Sequence, residues 1–162
     1  DDLLGDLALH RLDVVLSDRP APTNPNIKLY SHALGSSAIA WYGTAELVKI
    51  AKKNFPESLA DVPVLLPTAH TAVRDRLDHW FEQRAIRPRI VGEFEDSALL
   101  KTFGASGMGL FPAAEWVHEN LLAHYAVQRL GPCEGVTEHF YAIGTERKVK
   151  HPLVQSLLQP PL

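Results

Sequence analysis

Residues 64–94 read VLLPTAHTAVRDRLDHWFEQRAIRPRIVGEF. The short apolar run "VLLP" predicts a buried strand. The following "HTAVRDRLDHWFEQR" sets Val73, Leu77, Trp80 and Phe81 at helical spacing, with Thr71 as candidate N-cap. "PRIVGEF" at 88–94 then predicts a second strand. Strand, helix and strand in close succession point to an α/β fold with mostly parallel strands and right-handed crossovers.

The pattern continues on both sides. Downstream, "GEFEDSALLKTFGASGMGLFP" (92–112) predicts a helix over 96–103 capped by Glu95 or Asp96, then a strand at 108–111. Pro112 is expected to open a helix over 112–122, in the first-turn position that proline tolerates. Separate strands are expected near 126–130 and 139–144, and a closing helix at 151–159. Upstream, Leu3, Leu4, Leu7, Leu9 and Leu12 form a rough helical stripe ahead of a strand at 14–18. "RPAPTNPN" (19–26) reads as a loop, and two extended runs, 27–34 and 37–43, are parted by Gly35 and Ser36. A short helix is expected over 45–55, ended by "PESLADVP".

With 46% hydrophobic and 22% charged residues, the 162-residue composition is that of a globular protein. A net charge of -3 argues against a nucleic-acid binder acting alone, since phosphate contacts need clustered Lys and Arg. Lys49, Lys52 and Lys53 are better read as a solvated helix face. One cysteine, Cys133, allows no internal disulfide and no CxxC site, which fits a cytoplasmic protein. No 18-residue apolar run is present, so no membrane association is expected. The acidic start "DDLL" is unlike a signal peptide, and its immediate helical pattern suggests a domain cut from a longer protein.

Catalytic motifs fail on spacing. Gly107-Met108-Gly109 runs into Leu110, Phe111 and Pro112, so G-x-G-x-x-G lacks its third glycine and precedes a strand instead of following one. Around Ser106 the glycines are one position out of register for a nucleophile elbow. They read as backbone devices: Gly104 ending a helix, Gly107 and Gly109 tightening the turn into a strand. No metal site and no cofactor is expected: HExxH is missing, and Glu115-x-x-His118 has no second copy. His79 reads as solvated and Cys133 as inert.

Thr68, His70 and Thr71 differ by position, between a strand's C-terminal end and a helix's N-terminus, where α/β folds receive ligands. The plain alternative is that Thr71 caps its helix and His70 is a loop residue. Glu93, Glu95 and Asp96 offer oxygens for a hard cation, or form an acidic cap on the next helix.

In order, "LLGDLALHRLDVVLSD" (3–18), "ESLADVPVLLPTAHTAVRDRLDHWFEQRAIRPRIVGEFED" (57–96), "LLKTFGASGMGLFPAAEW" (99–116) and "YAIGTERKVKHPLVQSLLQ" (141–159) resemble the effector-binding domain of LysR-type transcriptional regulators. "GEFEDSALLKTFGA" and "ERKVKHPLVQSL" look most like that family's regulators of sodium/proton antiporters. The resemblance implies a two-lobed, periplasmic-binding-protein-like α/β domain, with residues 1–39 and 142–162 as a partial first lobe and 40–141 as the second. It implies a small-molecule or ion effector, sodium or an organic acid, held between the lobes and contacted by Thr68, His70 and Thr71, with Glu93, Glu95 and Asp96 as further ligand candidates. It also implies a homo-oligomer, dimeric or tetrameric at full length, that reaches DNA only through a winged helix-turn-helix outside this chain. A periplasmic solute-binding protein is the nearest alternative and a small hydrolase a more distant one; no catalysis is expected.

Overall fold

The computed structural model describes residues 14–23 and 28–145. The expected leucine-striped first helix and closing helix lie outside them. Two compact units arise from the contacts, one within Asp1–Ser36 and His139–Leu162, the other Ser37–Glu138.

In the smaller unit, β1 (Val15–Ser17) pairs antiparallel with the end of β6 (Gln128–Gly144), Val15 opposite Ile143 and Ser17 opposite Tyr141. Val15 and Ile143 are buried together, with Ala21 and Leu29 packed against them. The Ser31 hydroxyl accepts from the Ala21 N–H at 2.7 Å and ties Ala21 to the strand that carries Ser31.

The larger unit is built on β2 (Tyr30–Gly43), whose final residues Ile39–Tyr42 pair antiparallel with β5 (Phe111–Ala114). Alternate residues of β2 face opposite ways. Ala40 and Tyr42 join Leu65, Leu100, Phe111 and Leu121 in one core. Trp41 meets Trp80 and Phe81, with ring centroids 6.1 and 5.7 Å away. Covered on both faces, the strand end loses the polar alternation of a half-exposed strand.

β3 (Val64–Pro67) and β4 (Ile90–Phe94) run parallel, joined by helix α2 (Ala72–Gln83). Ahead of them lies α1 (Ala45–Ala51), and after them α3 (Ser97–Ala105). Val73, Leu77, Trp80 and Phe81 are all buried, as their spacing requires. On its other side β3 meets Leu110 in a parallel bridge, through Leu65 N–H to Leu110 O at 2.7 Å.

Several sequence expectations need correction. Antiparallel pairing joins β1 to β6 and β2 to β5 in the sheet of order β1-β6-β2-β5, while among the described residues β3 and β4, with the Leu110 bridge, pair in parallel. The two runs around Gly35 form one strand, and 128–144 is likewise continuous. Gly35 (φ 147°) and Gly135 (φ 81°) adopt conformations closed to most residues, within strands that they do not end.

Pro112 opens no helix. It pairs opposite Trp41 in β5, the terminal strand of its sheet, where the missing N–H breaks no ladder. Helical structure starts only at Glu115, with a 3-10 turn leading into α4 (His118–His124). Gly104 is not the left-handed residue of the glycine-rich turn either. It lies within α3, where a side chain would strike the Phe111 ring, and Gly107 carries the positive φ of 90°. Among the described residues, no helix is long and apolar enough to cross a membrane.

Candidate functional site

β3 ends at Pro67 and α2 begins at Ala72, so residues 68–71 form a tight connection above the parallel pair. The Thr68 N–H donates to the Phe94 carbonyl at 3.1 Å, tying this loop to the end of β4. The Thr71 N–H and hydroxyl both donate to the Thr68 carbonyl, at 3.2 and 3.0 Å.

Thr71 occupies the N-cap position in extended conformation, but its side chain accepts nothing from the helix. Capping therefore does not account for it, contrary to the simpler expectation. The Thr68 hydroxyl is fully buried and has no hydrogen-bond partner. His70 is exposed on the turn between the two threonines.

Arg74, in the first turn of α2, organises this end of the unit. Its Nη1 donates to the Pro67 carbonyl at 2.8 Å and to Glu93, while Nε donates to Asp78 at 2.8 Å. Burial disfavours its charge, but the hydrogen bonds and charges of Asp78 and Glu93 more than offset this and raise its pKa. Sequence reading missed Arg74. The available signal was its i, i+4 spacing to Asp78.

Of the three acidic candidates, Glu93 is engaged by Arg74, and Asp96 caps α3 by accepting from the Ala98 N–H at 2.7 Å. Glu95 is exposed at the bend between them. Among the described residues, no group of three or more His, Cys, Asp or Glu side chains is arranged to hold a metal ion.

The other side chains noted in the sequence have structural surroundings. The Ser106 hydroxyl donates to the Phe103 carbonyl at the end of α3. His118 Nδ1 meets the Tyr42 hydroxyl at 2.9 Å, while Glu115 pairs separately with Arg129 at 2.7 Å. Burial first, then the Glu115 charge, raises the Tyr42 pKa, and Arg129 opposes them. Burial pushes the Cys133 thiol up to about 12, against weaker pulls from the Trp41 indole N–H and Arg84.

Comparison with known proteins adds the wider context. Residues 1–159 match the family described as the LysR substrate binding domain. The transcriptional activator protein NhaR of Escherichia coli (strain K12) is 32% identical over 155 residues, covering 96% of this chain and 50% of the relative. NhaR of Shigella flexneri matches with the same values. The chain thus spans about half the length of these relatives.

Solved structures share the fold. The cofactor-binding domain of the Cbl transcriptional regulator has a TM-score of 0.70 at 17% identity, covering 97% of this chain and 68% of that one. CbnR, a LysR family transcriptional regulator, has a TM-score of 0.71 at 15% identity, covering 98% and 55%. The effector-binding domain of QuiR in complex with shikimate has a TM-score of 0.62 at 15% identity, covering 96% and 73%.

Proposed function

Because the chain belongs to the LysR substrate-binding domain family, whose members here share a periplasmic-binding-protein-like α/β fold, we propose that it is the effector-sensing domain of a LysR-type transcriptional regulator and that its β3–α2 loop contacts the effector. One observation carries the site: the Thr68 hydroxyl is buried without a partner, at the carboxyl end of a parallel strand and ahead of a helix. Ligands enter α/β folds at such positions, and a helix N-terminus favours negative charge. Thr71 shares that turn and His70 lies beside it. Admitted by a small shift of the loop, a small organic anion would supply the acceptor that the buried Thr68 hydroxyl lacks. Glu93 and Asp96 are already engaged by Arg74 and by α3, so the anion fits these residues better than a cation such as sodium does.

We take residues 1–39 with 142–162, and residues 40–141, as the two lobes of the domain. The sensor role needs no catalysis. An effector shifts a regulator only by its differential affinity for that regulator's states. In the longer protein, DNA contact and homo-oligomer formation belong with a DNA-binding domain working in the cytoplasm; the mild acidity of this chain agrees with that division.

Thermal-shift screening of the chain with small organic acids, and with sodium against potassium, tests the site. A ligand at a hundred times its Kd stabilises by about 2.7 kcal/mol. The expected result is stabilisation by an organic acid, lost in Thr68→Ala and Thr71→Ala. A response to sodium alone, reduced by Glu95→Gln and untouched by Thr68→Ala, would replace the anion with a cation at the acidic bend. No response to any of these ligands would overturn the reading.

A further inference from the structure

The larger unit carries a groove of about 380 Å³ between the side of α2 and the β6 residues Glu134, Gly135 and Val136. This volume lies in the range of small-molecule sites, about 300–1,000 Å³. α2 contributes Asp75, Arg76, His79 and Gln83 to the groove, and Arg84 follows at the helix C-cap. The Arg76 Nη1 is held by the Thr137 carbonyl at 2.7 Å, and the Arg84 guanidinium lies 4.5 Å from the centroid of the Trp80 ring. Both cations are therefore fixed in place. Yet among the described residues neither meets a carboxylate, and neither Asp75 nor Glu134 meets a cation.

Charges of both signs thus share one groove without neutralising each other. A surface ion pair is worth little, because it must hold two long side chains in one geometry, so these four charges stay unpaired at small cost and remain available to a ligand. Here backbone and ring contacts hold the two guanidiniums away from the two acids. The complement of such a wall is a molecule whose own opposite charges are held apart in the reverse order. The wall also has an apolar part. Trp80 is buried with its indole N–H lacking an acceptor, and Val136 is buried beside it. Gly135 leaves open space where a side chain would stand. A guanidinium already stacked on one ring offers its outer face to a second.

We propose that this groove binds a free α-amino acid with a flat apolar side chain, its carboxylate toward Arg76 and Arg84 and its ammonium toward Asp75 and Glu134. The site lies on the flank of α2, apart from the Thr68–Thr71 loop, and its occupation does not depend on the effector reading above.

The test is a titration of the 15N-labelled chain with L-phenylalanine, followed by amide spectra that include the Trp80 indole N–H. N-acetyl-phenylalanine and phenylalanine amide, each lacking one of the two charges, form the control arms. Saturable shifts are expected at residues 75–84, at 134–136 and at the Trp80 indole. Each capped analogue should bind at least about tenfold more weakly. Arg84→Gln, at a half-buried position, and Glu134→Gln, at an exposed one, should weaken phenylalanine similarly while keeping the dispersed spectrum of a folded chain. Equal responses to the capped analogues, shifts confined to the Thr68–Thr71 loop, or no saturable shift at the groove would each overturn the proposal.

Discussion

The Thr68 hydroxyl stands buried with no partner, a situation that costs about 1–3 kcal/mol relative to a satisfied group. Replacing it by a methyl of similar shape removes that cost. Thr68→Val is therefore expected to raise the melting temperature of the unliganded chain, by about 2–4 °C for each kcal/mol recovered at this chain length. The same variant should lose the thermal shift given by the effector; a calorimetric scan with and without ligand checks both effects. Cys133 makes the opposite case, a polar group that burial has silenced. With its thiol pushed up to about 12, native protein should resist alkylation at pH 8, where thiolate is the reacting form, and unfolded protein should react freely. The sign for stability follows. A thiol whose pKa is raised by folding contributes stability below the ordinary value near 9, and that contribution is lost as pH climbs from 9 toward 12. Cys133→Ala should flatten this part of the stability–pH curve, measured by urea unfolding. Burial of Cys133 agrees with the absence of any partner motif around it, which was legible from the sequence. The buried Thr68 hydroxyl was not, because its isolation depends on where the Phe94 and Thr71 backbones fall.

Helix α2 was readable because Val73, Leu77, Trp80 and Phe81 mark a single face and nothing in its interior interrupts it. Its end was not readable. Ala85 sits at φ 54°, a left-handed position usually given to glycine, as the chain turns so that the Ile86 N–H reaches the Phe81 carbonyl. Left-handed geometry costs a residue with a side chain roughly 1–2 kcal/mol, while glycine's extra freedom when unfolded takes back about 0.5–1 kcal/mol. Ala85→Gly is thus expected to stabilise by about 0.5–1 kcal/mol, seen as a higher urea midpoint with an unchanged slope. Gly104→Ala should do the reverse. Its new methyl meets the Phe111 ring inside a packed core, an overpacking worth about 1–3 kcal/mol in the same assay. Strand β5 explains why Pro112 misled: helix starts and sheet edges both accept proline, and only the pairing with Trp41 separates them. The role of Arg74 was hidden for a similar reason. A helical arginine is usually solvated, and nothing local reveals that its guanidinium turns back to the Pro67 carbonyl.

At the scale of the molecule, fold class and family were legible because the order of strands, helices and turns survives where individual boundaries do not. Strand direction was misread, because alternation of strand and helix says nothing about the two long strands that pass through the unit boundary. Those strands also have a practical meaning. Residues 37–138 form one unbroken stretch of chain, entered along β2 and left along β6, and these strands are neighbours in the sheet order. Adjacent strands lie about 4.8 Å apart, so the stretch is entered and left along neighbouring strands. A segment of that kind is a natural cassette to test: expressed by itself, residues 37–138 are expected to keep their own core.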